Sequence, residues 1–205
     1  MANVALVAGL VSSALSLACV VIALASSQWF RVRAPFFQDI DIGLMRHCDV
    51  VTSYCGDMEH LNALVEADYA AWFRSVQTMY LLHCLGMLVS LVTYILFLVR
   101  FLDFKGSFRF LTLLNFLTLA AGIYAVTFFD LNAKKFFGVT SPILPQDCAT
   151  LGYAFYMAIV GCCFSFLVMF ISAAEAVQAV ELLRNMQNRL TVWTTPYTLF
   201  VDQEV

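Results

Sequence analysis

The chain has 205 residues, of which 62% are hydrophobic and 12% charged, and its net charge is −3. Soluble domains carry about 25% charged residues, so half that share, with a mean hydropathy of +0.84, puts the chain in the membrane class. The slightly acidic balance leaves no basic footprint for nucleic acid, and neither a repeat nor a low-complexity tract interrupts the sequence.

In chain order, Val4–Ala25 comes first and carries no charge. As a helix it would be about 33 Å long, enough for a hydrocarbon core of about 30 Å. Ala23-Leu24-Ala25 also fits the small-x-small cleavage site of a secretory signal. Signals, however, start with basic residues and have a shorter apolar core, so the stretch reads as a transmembrane helix. Three further spans are expected at about 75–99, 110–129 and 151–174, each almost free of charge inside. The expected architecture is an all-α four-helix transmembrane bundle carrying a small extracellular antiparallel β-sheet. It occupies residues 1–190 as one domain, with extracellular loops at 26–74 and 130–150 and a short cytosolic tail at 191–205.

Basic residues do not set the orientation. With the amino terminus inside, Arg100, Lys105, Arg109, Arg184 and Arg189 face Arg31, Arg33, Arg46, Arg74, Lys134 and Lys135 across the membrane. Cysteines are more informative. Cys48 and Cys55 form the close pair of the large polar loop, and such a pair is most useful where disulfides persist. This places the loop outside and both termini in the cytosol; the alternative is two free thiols. Cys148 is left over in the second loop, as a free thiol or an intermolecular bridge.

Within the large loop, Phe30 and Val32 interleave with Arg31 and Arg33, and Ile40, Ile42 and Leu44 interleave with Asp39, Asp41 and Gly43. This two-residue period is that of strands with one face covered, and the run 50–54 is β-rich as well. A bond between Cys48 and Cys55 would clamp the strands. After Cys55 the period changes: Asp57 is a candidate N-cap, and Met58, Leu61, Val65, Tyr69 and Trp72 recur every three or four residues, as in an amphipathic helix. Arg74 enters the next span, where it could pair with Asp68, cap a loop carbonyl or snorkel to the interface.

Taken together, Trp29 just after the first span, Gly43-Leu44, the pair Cys48 and Cys55, and Arg74 at the start of the second resemble the claudin superfamily. That superfamily includes the peripheral myelin and epithelial membrane proteins and the channel γ-subunits. The resemblance covers nearly the whole chain. It implies a non-enzymatic membrane protein of cell–cell junctions in the plasma membrane, associating with itself in cis and in trans to form or shape a paracellular barrier. It also implies a charge-selective role for Asp57, with Glu59 beside it, although an ordinary solvated helix face carries the same acidic set. Met45 stands where claudins have tryptophan, and the tail Asp202-Gln203-Glu204-Val205 lacks a Ser or Thr two residues before the terminal valine. These departures favour a second expectation, an auxiliary subunit that alters the trafficking or gating of an ion channel or receptor.

Other constellations read more plainly. His47, Cys48, Cys55 and His60 match no short zinc-ligand spacing, and oxidation would remove both thiolates. No nucleophile–base pair, paired carboxylates or glycine-rich phosphate loop is present, so neither catalytic residue nor cofactor is expected. Gln77, His83 and Asn115 are polar groups at membrane depth and should hydrogen-bond across helices. In the second loop Phe136 and Phe137 are apolar groups on a polar segment, a candidate contact surface. The lipid bilayer is the one partner that every reading shares.

Overall fold

A computed structural model describes residues 2–32, 40–50, 55–57, 67–99, 104–139 and 149–198. Four long helices dominate: α1 (Ala2–Ala25), α2 (Ala67–Leu98), α3 (Phe104–Val139) and α4 (Tyr153–Thr198). The stretches Val4–Ala25, Ala71–Leu98, Phe108–Ala133 and Tyr153–Gln187 within them are long and apolar enough to cross a bilayer.

The bundle differs from a protein that lives in water in carrying an apolar exterior over a core that mixes apolar and polar side chains. Ser13, Ser16, His83, Ser90, Asn115, Ser165 and Ser172 are buried, while Leu85 (56%), Leu117 (58%) and Phe170 (65%) are exposed. Small and hydroxyl-bearing side chains let membrane helices approach and bond to one another, beside buried large ones such as Tyr80, Phe97 and Leu111, while many other large apolar side chains turn outward. A bilayer is the surrounding that covers such an exterior without cost.

The β-strands form one five-stranded antiparallel sheet of order β4-β3-β2-β1-β5. They are β1 (Phe30–Val32), β2 (Ile40–Ile42), β3 (Arg46–Asp49), β4 (Cys55–Asp57) and β5 (Ala149–Leu151). The register aligns two transverse rows. Leu151, Phe30, Ile42, His47 and Gly56 lie side by side in one; Thr150, Arg31, Asp41, Cys48 and Cys55 in the other. Alternation puts the rows on opposite faces. Phe30 and Ile42 are buried in the cluster that joins the sheet to the helices, and Leu151 packs against it. The first row therefore faces the bundle.

Several boundaries differ from those read off the sequence. The third helix does not end near Phe129 but continues to Val139, so Phe136 and Phe137 belong to a helix rather than to a loop. Hydropathy marks where a helix stops being apolar, and between Asp130 and Ala133 no Gly or Pro stops the backbone. Leu151 is not the start of the fourth span; it closes β5, and α4 begins after Gly152. At its other end α4 runs through residues 191–198, which read as tail. Asp57 is the last residue of β4, and the helix it was expected to cap lies outside the described residues. The amphipathic run 58–66 and most of the β-rich run, 51–54, lie outside the described residues, as do Glu59, Cys148 and tail residues 199–205.

Candidate functional site

The sheet is fastened to the helices at Trp29, the residue that links α1 to β1. The last carbonyls of a helix have no partner one turn further on. At the end of α1, the Trp29 indole N–H donates to the Ala23 carbonyl oxygen at 2.6 Å. The ring then meets one aromatic side chain from each remaining helix. Its centroid lies 5.0 Å from Tyr80 on α2, 5.1 Å from Phe129 on α3 and 6.0 Å from Phe155 on α4, all edge-on. Such contacts contribute about 0.5–1.5 kcal/mol each beyond the area they bury. The same residue's backbone sits between strands: Trp29 N–H donates to the Ile42 carbonyl and Gly152 N–H to the Trp29 carbonyl.

Gly43 and Leu44 form the second fastening. Gly43 N–H donates to the Arg46 carbonyl at 2.8 Å, closing the turn from β2 to β3. A Cβ on Gly43 would collide with the Ser26 carbonyl oxygen and the Ser27 Cα, so the turn rests directly on the backbone leaving α1. Leu44 is fully buried, and its carbonyl accepts from the Gln77 side chain on α2 at 2.5 Å. Gln77 thus bonds to the base of the sheet and not, as expected, across helices.

On the opposite face, Cys48 and Cys55 form a disulfide between directly paired positions of β3 and β4. Two strands away, Arg31 Nε donates to Asp41 Oδ1 at 2.6 Å, and a second guanidinium nitrogen donates to Oδ2 at 3.0 Å. Asp41 is 4% exposed. Since Asp41 is paired with Cys48, ion pair and disulfide are consecutive links in one row across four strands. The sequence reading missed the ion pair. Its signal was present in the alternation, which sets Arg31 between Phe30 and Val32 and Asp41 between Ile40 and Ile42, each a charge flanked by apolar strand residues.

The remaining expected positions are not gathered into this site. Arg74 is exposed on α2, and its carbonyl accepts from Thr78 Oγ1 at 2.9 Å. Asp57 lies opposite Arg46, beside the turn at Gly43 that rests on the end of α1, with its side chain outside the described residues. The same holds for the side chains of Asp68, Phe136 and Phe137.

Inside the bundle, Ser16 Oγ donates to the Gly161 carbonyl at 2.9 Å and lies 2.8 Å from Ser165 Oγ. Ser165 Oγ in turn lies 3.4 Å from His83 Nε2. His83 Nδ1 contacts the Thr118 carbonyl at 2.7 Å; a carbonyl only accepts, so Nδ1 carries the proton. A serine beside a histidine suggests a nucleophile and its base. Here both are buried to within 1%, and with Ser16 and Thr118 they link α1, α2, α3 and α4. Among the described residues no group of three His, Cys, Asp or Glu side chains could hold a metal ion. No family model matches the chain, and neither does any curated protein.

Proposed function

We propose that the chain is a claudin-type four-span protein of the plasma membrane, with both termini in the cytosol. It acts at cell–cell junctions by surface contact: copies associate side by side and across the gap to form or shape a paracellular barrier. The observation that carries this reading is the double fastening of the sheet. Trp29 holds it to all four helices, and Gly43-Leu44 seat it on α1 and α2. A platform held that firmly to a bundle has a fixed attitude to the bilayer, which a contact repeated from copy to copy requires. Three of the positions that carry the claudin resemblance, Trp29, Gly43 and Leu44, are fastening residues, and this supports the family reading.

The competing reading is an auxiliary subunit that binds a channel or receptor and alters its trafficking or gating. Met45, half-buried where claudins have tryptophan, favours it. Mixed culture distinguishes the two. Tagged protein expressed in cells without junctional strands should concentrate at borders between two expressing cells and raise transepithelial resistance. Uniform surface distribution, with stoichiometric co-purification of a channel, would establish the auxiliary role instead.

A further inference from the structure

A groove of about 560 Å³ runs down the outside of the bundle between α2 and α3. On α2 it is bounded by Met79, Gly86 and Val89, and on α3 by Leu114, Ala121 and Tyr124. Gly86 sits so close to Thr118 that any Cβ would overlap that side chain, so the helices touch there and the small residues leave the hollow. Below its upper end the lining is almost wholly apolar.

That upper end, on the sheet side, differs. Tyr124 is 39% exposed, and its hydroxyl lies 3.1 Å from Ser75 Oγ. Ser75 precedes Met79 by one helical turn and continues the groove face of α2, whereas Arg74 lies about a quarter turn away from that face. When one of two hydroxyls donates to the other, one O–H and several lone pairs remain free. Such a pair complements an alcohol, which both donates and accepts; it has no charge to offer a phosphate. Stacking on Phe128, at 5.1 Å between centroids, holds the Tyr124 ring in place. From Ser75 to Val89 the helix rises about 21 Å, somewhat more than one leaflet of a hydrocarbon core about 30 Å thick.

We propose that this groove binds a sterol, with its hydroxyl on the Tyr124–Ser75 pair and its ring system along Gly86 and Ala121. The ligand class follows from a polar end of neutral hydroxyls, a one-leaflet length and an apolar wall built over small residues. A phospholipid would place its headgroup at an end whose lining, among the described residues, holds no cation. The inference depends on the chain lying in a bilayer but not on a junctional role, so either can fail alone.

The test uses the full-length protein in phosphatidylcholine vesicles containing a photoreactive sterol. Label should map to residues 79–89 and 114–124 and be competed by unlabelled sterol but not by added phosphatidylcholine. Tyr124→Phe, which removes one hydroxyl and keeps the ring, should reduce labelling about five-fold. Ala121→Phe, which fills the hollow, should reduce it by about ten-fold or more. If Ala121→Phe does not fold, Tyr124→Phe decides alone. The proposal is overturned if label spreads equally to Phe166 and Phe170 on α4, or if properly folded variants label as well as the parent. Competition by phosphatidylcholine overturns it too, as does crosslinking of two copies through Leu85→Cys in sterol-containing vesicles.

Discussion

The indole of Trp29 occupies the open end of α1, 2.6 Å from the carbonyl oxygen of Ala23, and both residues are fully buried. No water reaches that carbonyl to replace the bond, and a buried acceptor left without a partner costs about 1–3 kcal/mol. Trp29→Phe keeps much of the ring and loses the N–H, so it should lower unfolding stability in mixed detergent micelles by about that amount. Trp29→Ala also empties the space between Tyr80, Phe129 and Phe155, and should cost about 3–5 kcal/mol. Equal stability of the parent and the Phe variant would remove the hydrogen bond from the account.

The Arg31–Asp41 pair makes a separate prediction. The arginine side chain is 31% exposed and the aspartate side chain 5%. Breaking a fully buried pair costs about 3–5 kcal/mol, so partial exposure should bring Asp41→Asn to about 1–3 kcal/mol. Arg31→Gln should cost more than Asp41→Asn, because it leaves the deeper partner, the carboxylate, charged and unpaired, whereas the arginine left by Asp41→Asn still reaches water. A double-mutant cycle on the two should return a coupling of about 1 kcal/mol or more; additive losses would mean that packing, not the pair, is responsible.

The helices were legible because apolar runs of this length have few other uses, and the disulfide because one close cysteine pair stood in a polar loop. Strands β1 and β2 showed their two-residue period over Phe30–Val32 and Ile40–Ile42. Strand β5 did not show. Ala149-Thr150-Leu151 stands in no longer alternating run, and its pairing with β1 closes a sequence gap that no local pattern reports. The extension of α3 was hidden because polarity and helicity are different properties, and a helix leaving a bilayer changes only the first. Tyr80, Phe129 and Phe155 are aromatic residues in an aromatic-rich chain, and only the fold shows that they meet at Trp29.

The clamp between β3 and β4 should act mostly on the unfolded state. Closing a loop as short as that between Cys48 and Cys55 contributes about 2.5 kcal/mol on the chain-entropy estimate. Cys48→Ser should therefore lower stability by roughly that amount, and reductant should bring the parent to the same level while leaving the variant unchanged. In cells the variant should be retained before reaching the surface. Normal delivery together with intact border enrichment would show that β4 needs no clamp.

A charge-selective role for Asp57 can be tested through its neighbour in the sheet. Asp57 is paired with Arg46 on neighbouring strands β4 and β3, and Arg46 is exposed. Opposite charges at directly paired positions partly cancel the field seen by a passing ion. If Asp57 faces the path between cells, Asp57→Asn should reduce the sodium-over-chloride permeability ratio about two-fold. Arg46→Gln should move the same ratio the other way, because the carboxylate loses its compensating cation. Dilution potentials across a monolayer expressing each variant measure both shifts. Opposite signs support a site at this strand pair; a ratio that ignores both substitutions takes Asp57 out of the conducting path while leaving the adhesive reading untouched.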